Sequence, residues 1–456
     1  MKLVWCKCAF GVVSLVPDGA GFLFSRYFLR NKAKLHKSKF ICLFVWFITI
    51  CLCASAAPLP LGGVNIAGGE FWLARKTNNA HPQYGANYSY PTEAEIDYFA
   101  GKGMNCFRYQ FLWETLQPQL RTPLDRADLD RLKTSVSYAT SKGLIVLLDP
   151  HDYARYYGTN IIGGQYVSAV DFADFWRRLS AEFANDPYVW FGLVNEPNTM
   201  PTQQWFDDAN AAIAAIRSTG AKNMILVPGN SWTGAHSWTS EDYGGESNAK
   251  GILTVNDPLN YWAIEVHQYL DTDSSGTHNE VVGPTIGSER LKGFVNWCRK
   301  NKMRAFLGEF GVPVVPNGKA SLQDMLESME RDNDVWLGWT WWAAGTRWGN
   351  YMFTVEPKNG KDRPQMAWLE PHLPGPKTPE FSVSVKNGKG SCMAHAGIAS
   401  AVEAVPSNKN EVFKEWLGDT VWLKNPKSPK TTIIVPFKNV EIEAVFGKAT
   451  DVAATQ

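Results

Sequence analysis

Between residues 61 and 373 the chain alternates short apolar runs with longer stretches in which apolar residues recur every three or four positions. The short runs are 61–67 (LGGVNIA), 105–111 (NCFRYQF), 144–151 (LIVLLDPH), 189–197 (VWFGLVNEP), 224–230 (MILVPGN), 261–269 (YWAIEVHQY), 304–311 (RAFLGEFG) and 336–345 (WLGWTWWAAG). Continuous apolar runs of this length fit strands covered on both faces. The stretches between them, such as TEAEIDYFAGKG and DFADFWRRLSAEF, carry the stripe of helices that bury one side. Eight strand–helix units in about 310 residues predict an α/β fold, the (β/α)8 or TIM barrel. An open doubly wound sheet is the competing arrangement, but no GxGxxG turn follows the first run.

Either side of this region the pattern changes, so the chain divides at 57 and 373. Lys32, Lys34, Lys37 and Lys39 precede the apolar stretch Phe40–Ala57, which ends in small residues. A basic flank, a short apolar core and a small-residue exit predict a secretory signal over residues 1–57, hence a secreted protein. The basic part is long, which keeps an uncleaved membrane anchor as the alternative. Residues 374–456 begin with a proline-rich linker and continue Lys-, Ser- and Val-rich. They read as a marginal extension, with a small β-rich module as the second reading.

Composition narrows the function. The 456 residues carry a net charge of +1, which offers no electrostatic attraction to nucleic acid or anionic lipid. Of eight cysteines, only Cys106, Cys298 and Cys392 lie after the predicted signal, so no disulfide framework is expected. No CxxC or clustered His/Cys pattern asks for a metal, and no cofactor is expected. Asn87-Tyr88-Ser89 is an N-glycosylation sequon. The unusual count is 19 tryptophans. Trp is costly to bury completely and often lines clefts, where its flat face stacks on sugar rings. Trp72, Trp113, Trp232, Trp238, Trp342 and Trp348 all fall near predicted strand ends.

In a barrel, active-site residues sit at the C-terminal ends of strands. Polar residues enter late in five of the apolar runs: Arg108, His151, Asn195–Glu196, His267 with Tyr269, and Glu309. The eighth run carries Trp342 at the same level. Glu196 after strand four and Glu309 after strand seven would face each other across the barrel mouth. Two facing carboxyls are the equipment of glycoside hydrolysis, and a gap of about 5–5.5 Å would make one a nucleophile and the other an acid, then base. The acid must hold its proton at working pH, which apolar surroundings and a neighbouring carboxylate favour.

VWFGLVNEP, NCFRYQFLWETLQP, LLDPHDYARYYG, PGNSWTGAHSW, VHQYLDTDSSGTH and FLGEFGVP together resemble glycoside hydrolase family 5, in its endo-β-1,4-glucanase subgroup. The resemblance covers 61–373. It implies Glu196 as acid/base, Glu309 as nucleophile and Asn195 as a contact for the sugar 2-hydroxyl. Arg108 and Tyr269 would tune Glu309, and His267 would touch the acid/base region. His151 would shape the glycone side, Trp342 would be the stacking platform, and Trp232 a further substrate contact. The implied protein is a secreted, monomeric, retaining endo-β-1,4-glucanase whose only partner is a polysaccharide of the cellulose type. Mannan, xyloglucan and β-1,3-glucan are the competing substrates, and a carbohydrate-binding protein without turnover is the competing class.

Overall fold

The computed structural model describes residues 7–8, 11–12, 56–71, 82–241 and 245–448. Residues Met1–Ala54 form a unit of their own, in which Lys7–Cys8 pairs antiparallel with Gly11–Val12. The expected signal segment lies almost wholly outside the described residues, as does Trp72. Among the described residues, no helix is long and apolar enough to cross a membrane.

Eight strands form the centre of the second unit: β1 Leu61–Ile66, β2 Cys106–Phe111, β3 Ile145–Pro150, β4 Val189–Gly192, β5 Ile225–Pro228, β6 Trp262–His267, β7 Ala305–Glu309 and β8 Trp336–Ala344. Each is hydrogen-bonded in parallel to its sequence neighbours, and β8 pairs with β1, so the sheet closes into a barrel. This is the (β/α)8 architecture expected from the alternating pattern. The long helices are α1 Glu93–Gly101, α2 Arg126–Ser141, α3 Ala169–Phe183, α4 Thr202–Ser218, α5 Ile286–Asn301 and α6 Gly318–Arg331. After β5 and β8 the described chain has only short helical turns, at Asn248–Gly251 and Met366–Leu369. Helix starts follow local chemistry: Thr92 with Glu95, and Ser168 with Asp171, each form a capping box in which side chain and backbone satisfy one another.

Strand period two sorts the barrel interior into layers. The lower layer is apolar: Leu61, Cys106, Ile145, Leu147, Trp190, Leu226, Ala263 and Phe306 are all buried. The layer above it, nearer the strands' C-terminal ends, is polar: Asn65, Arg108, Gln110, Asp149, Glu265 and Thr340 are equally buried.

The tail departs from the marginal extension. It is built of β9 Glu380–Lys386, β10 Gly388–Lys389, β11 Cys392–His395, β12 Ala399–Ala404, β13 Glu411–Gly418, β14 Lys430–Ile434 and β15 Val440–Lys448. They form a four-stranded sheet in the order β11-β9-β15-β13 and a three-stranded sheet in the order β10-β12-β14. Their buried residues, among them Val383, Val402, Ile433 and Ile442, share one core with the lower layer of the barrel. One amide ties the start and the exit of the barrel. Asn105 donates to Pro60 O at 3.0 Å and to Lys377 O at 2.9 Å, and its own oxygen accepts from Gly62 N at 3.1 Å.

Candidate active site

The polar layer is organised by Arg108, whose side chain is fully buried. Its guanidinium lies 2.9 Å from Glu265 Oε1, 3.0 Å from Asp149 Oδ2 and 2.9 Å from Glu309 Oε1. It also donates to Asn65 Oδ1 at 3.0 Å and to Asn195 Oδ1 at 2.9 Å. A guanidinium has five donors in a rigid plane and no easy deprotonation, so it can hold several carboxylates in fixed places. Asn65 Oδ1 also accepts from Gln110 at 2.6 Å, and Asn65 Nδ2 reaches across to Gly308 O at 2.9 Å. Gly308 is small for a reason of space: a Cβ there would stand 2.3 Å from Glu265 Oε1 and 2.9 Å from His267 Nε2.

Above this layer stand the two carboxylates. The strand expected to run through residue 197 ends at Gly192. The chain continues by Asn195 N donating to Pro150 O at 2.9 Å, then turns at Glu196, whose φ of 42° lies in the left-handed region. That backbone costs energy for a residue with a Cβ, and it turns the chain where the strand has ended. A register shift between Val266 and His267 brings His267 opposite Glu309. His267 Nδ1 then stands 2.7 Å from Glu196 Oε1 and 3.6 Å from Glu309 Oε2. An oxygen of Glu196 and one of Glu309 lie within 4.8 Å of each other. Tyr269 donates its hydroxyl to the Glu309 Oε2 atom at 2.8 Å.

Burial sets the protonation states apart. It pushes the Glu196 carboxyl above the usual carboxylate range; Glu309 adds to this, and His267 and Arg108 oppose it. Burial disfavours charge on His267, but Glu309, Glu196 and Glu265 outweigh it and hold the imidazolium up to about 10. Burial likewise raises Asp149 to about 7 against the pull of Arg108. For Glu265 burial loses: Arg108 and His267 hold it below the usual range. The site thus pairs a carboxyl whose protonation burial favours with a cation shared among acids, the kind of separation an acid and a nucleophile require.

His151 donates Nδ1–H to Asp149 Oδ2 at 2.8 Å, which leaves Nε2 facing Asn195 Nδ2 at 3.3 Å. Trp342 lies almost parallel to the His151 ring, with centroids 5.4 Å apart and planes at 11°. Trp348 meets Trp342 edge-on at 5.5 Å. A cavity of about 490 Å³ is lined by Glu196, Tyr153, Trp232, His236, His267, Tyr269 and the 273–277 loop. Trp232 is 46% exposed there, and its loop is pinned by Thr233 Oγ1 donating to Glu265 O at 2.6 Å. Trp113 and Trp238, which shared the strand-end position, are core residues, each 1% exposed. A hollow of about 530 Å³ on the outside, beside Trp368, is lined by only one ionisable side chain, Lys319, and offers no acid–base pair.

The cellulase profile, glycosyl hydrolase family 5, matches residues 64–345. The chain belongs to glycosyl hydrolase family 5. Endo-beta-1,4-glucanase A of Emericella nidulans is 41% identical over 301 residues, spanning 65% of this chain and 87% of that one. Among solved structures, a triple mutant of an endo-beta-1,4-glucanase from Xanthomonas axonopodis pv. citri is 48% identical with a TM-score of 0.66, covering 69% of this chain and 98% of its own. XacCel5A in complex with cellopentaose matches equally, at 48% and 0.66, over 69% of this chain and 99% of its own. As a family 5 member the protein is a glycoside hydrolase.

This family 5 site contains residues that the strand-end rule passes over. Asp149 and Glu265 sit two positions before His151, just past the end of β3, and His267, the last residue of β6, and period two was the signal that could have found them. Glu70, just past β1, was also missed. Its Oε2 accepts from Gly68 N at 2.8 Å, and burial pushes it to about 7. Among the described residues, two groups carry metal-type donors within 4.8 Å of one another: Glu196, His267 and Glu309, and Asp271, Asp273 and His278. In the first, His267 Nδ1 lies within reach of both carboxylates.

Proposed function

We propose that the protein is a secreted, retaining endo-β-1,4-glucanase acting on cellulose-type β-glucans. The observation that carries the mechanism is the approach of Glu196 and Glu309 to within 4.8 Å, too close to seat a water behind the sugar and of the order expected of a nucleophile and an acid. Glu309 is the nucleophile. Arg108 and Tyr269 hold its two oxygens in place, and it attacks the anomeric carbon as the bond to the leaving oxygen breaks. Glu196, whose protonated form burial favours, donates its proton to that oxygen. The departing chain leaves a glycosyl ester on Glu309. Glu196, now a carboxylate, takes a proton from water, the water attacks the same carbon, and the ester bond breaks with the configuration retained. Asn195, its oxygen fixed by Arg108, offers its amide to the 2-hydroxyl of the bound sugar.

The endo mode and the β-1,4-glucan substrate are supported by the names of the relatives, by the cellopentaose bound to XacCel5A, and by two tryptophans, Trp342 stacked on His151 and Trp232 lining the cavity beside Glu196. Secretion is supported by the signal-like stretch at 40–57. A substrate panel of cellulose, lichenan, mannan and xyloglucan, with product anomers followed by NMR, tests the reading. Retained cello-oligosaccharides are expected, whereas inversion or a preference for mannan would overturn it. Secretion is checked by the N-terminus of protein recovered from culture medium, which should begin near residue 58.

A further inference from the structure

We infer that the C-terminal module is the floor of the catalytic barrel, an integral part of its fold, and not an appendage that grips polysaccharide. A module that binds sugar chains needs exposed, flat aromatic surfaces. Between residues 380 and 448 the six aromatic side chains are Phe381, Phe413, Trp416, Trp422, Phe437 and Phe446, and none is exposed. All six belong to, or pack against, the core shared with the barrel's lower layer.

The contacts reach inside the barrel. Phe437 meets Trp190 of β4 edge-on, with centroids 4.9 Å apart and planes at 87°. Its backbone N–H donates to the Tyr261 hydroxyl at 2.8 Å, and the Tyr261 ring packs on Trp422 at 4.7 Å. Lys222 donates to Val421 O, so polar contacts accompany the apolar ones. Gly397, at φ 89°, lies so close that a Cβ would stand 2.5 Å from the Tyr188 ring. Strand register sets Trp190 beside Leu147 and Leu147 beside Arg108. The module therefore supports the layer on which the polar network rests. Without it, Trp190, Tyr261 and Leu226 would face water at the open end of the barrel, a loss of burial that the hydrophobic effect opposes.

The test uses the full chain with a protease site inserted between the exposed Pro376 and Lys377. After cleavage the two fragments should co-elute on gel filtration and melt together in one transition. Phe437→Ala should lower that Tm by about 5 °C or more, and Phe437→Leu should restore most of it. If the cut fragments separate while the barrel keeps its Tm, or melt in two transitions, the module is an independent domain and the inference fails. Loss of retention on microcrystalline cellulose on cutting, with Tm unchanged, would fail it in the same way and assign the module to substrate.

Discussion

Two layers of the barrel interior are made by the same eight strands, two residues apart, and obey opposite rules. In the lower layer Leu61, Leu147, Trp190, Leu226 and Phe306 hold one another by shape, so volume decides what is tolerated. In the upper layer Asn65, Arg108, Asp149 and Glu265 hold one another by charge and hydrogen bonds, so pairing decides. A buried ion network adds little stability compared with apolar packing, and loses much when one partner is removed. The lesson is a division of labour: the lower layer keeps the barrel folded, and the upper layer spends packing quality to hold reactive carboxylates at set distances.

Substitutions in the two layers should therefore separate rate from stability. The largest effect is expected for Glu309→Gln, which keeps volume and removes the nucleophile: initial rates on carboxymethylcellulose should fall on the order of 10⁴–10⁶-fold. Glu196→Gln should lose about 10²–10⁴-fold. Glu196→Gln should melt close to the unsubstituted chain, while Glu309→Gln, which takes a carboxylate from Arg108, should lower Tm. If neither loses rate, the acid–nucleophile pair lies elsewhere.

Next in size, Arg108→Met leaves Asp149, Glu265 and Glu309 without their shared cation and should cost about 3–5 kcal/mol in urea unfolding as well as activity. Trp190→Ala opens a hole in the lower layer and should cost a similar ~3–5 kcal/mol, while kcat per folded molecule is spared. A kcat loss with Trp190→Ala would show that the layers are coupled and blur the division. Gly308→Ala is a finer probe. It adds one methyl group against Glu265 and His267, and should depress kcat more than Tm.

The smallest effect is the pH dependence of Tm. His267 is raised from 6.5 to about 10, so its charge stabilises the fold in full below pH 6.5 and that share is lost as pH climbs toward 10. Asp149 is raised from 3.8 to about 7, so the folded state prefers it neutral and stability declines as pH rises across that interval. Both slopes point the same way, and a Tm series from pH 6 to 10 should fall throughout. A rise between pH 7 and 10 would locate the dominant charge outside this layer.

Much of this was legible from the chain. The eight apolar runs became the eight barrel strands, because parallel strands covered on both faces need continuous apolar sequence. The nine residues proposed for the site lie together at the barrel mouth, where strand ends converge. The rest depended on contacts between distant positions. Asp149 and Glu265 read as strays within apolar runs until Arg108 is seen between them. Trp113 and Trp232 share a strand-end position, and only the course of the following loop buries one and exposes the other. The tail read as a marginal extension because a large part of the core it folds against belongs to the barrel.

Asn105 has a topological consequence. With one amide bonded to residues on both sides of the barrel's beginning and to one just past its end, the 60–377 segment is nearly a closed loop of sequence. The chain therefore enters and leaves the barrel at one point, and Asn105 pins both crossings there. By the same geometry, the module that follows Lys377 starts at the end of the barrel opposite the mouth, clear of the substrate's path.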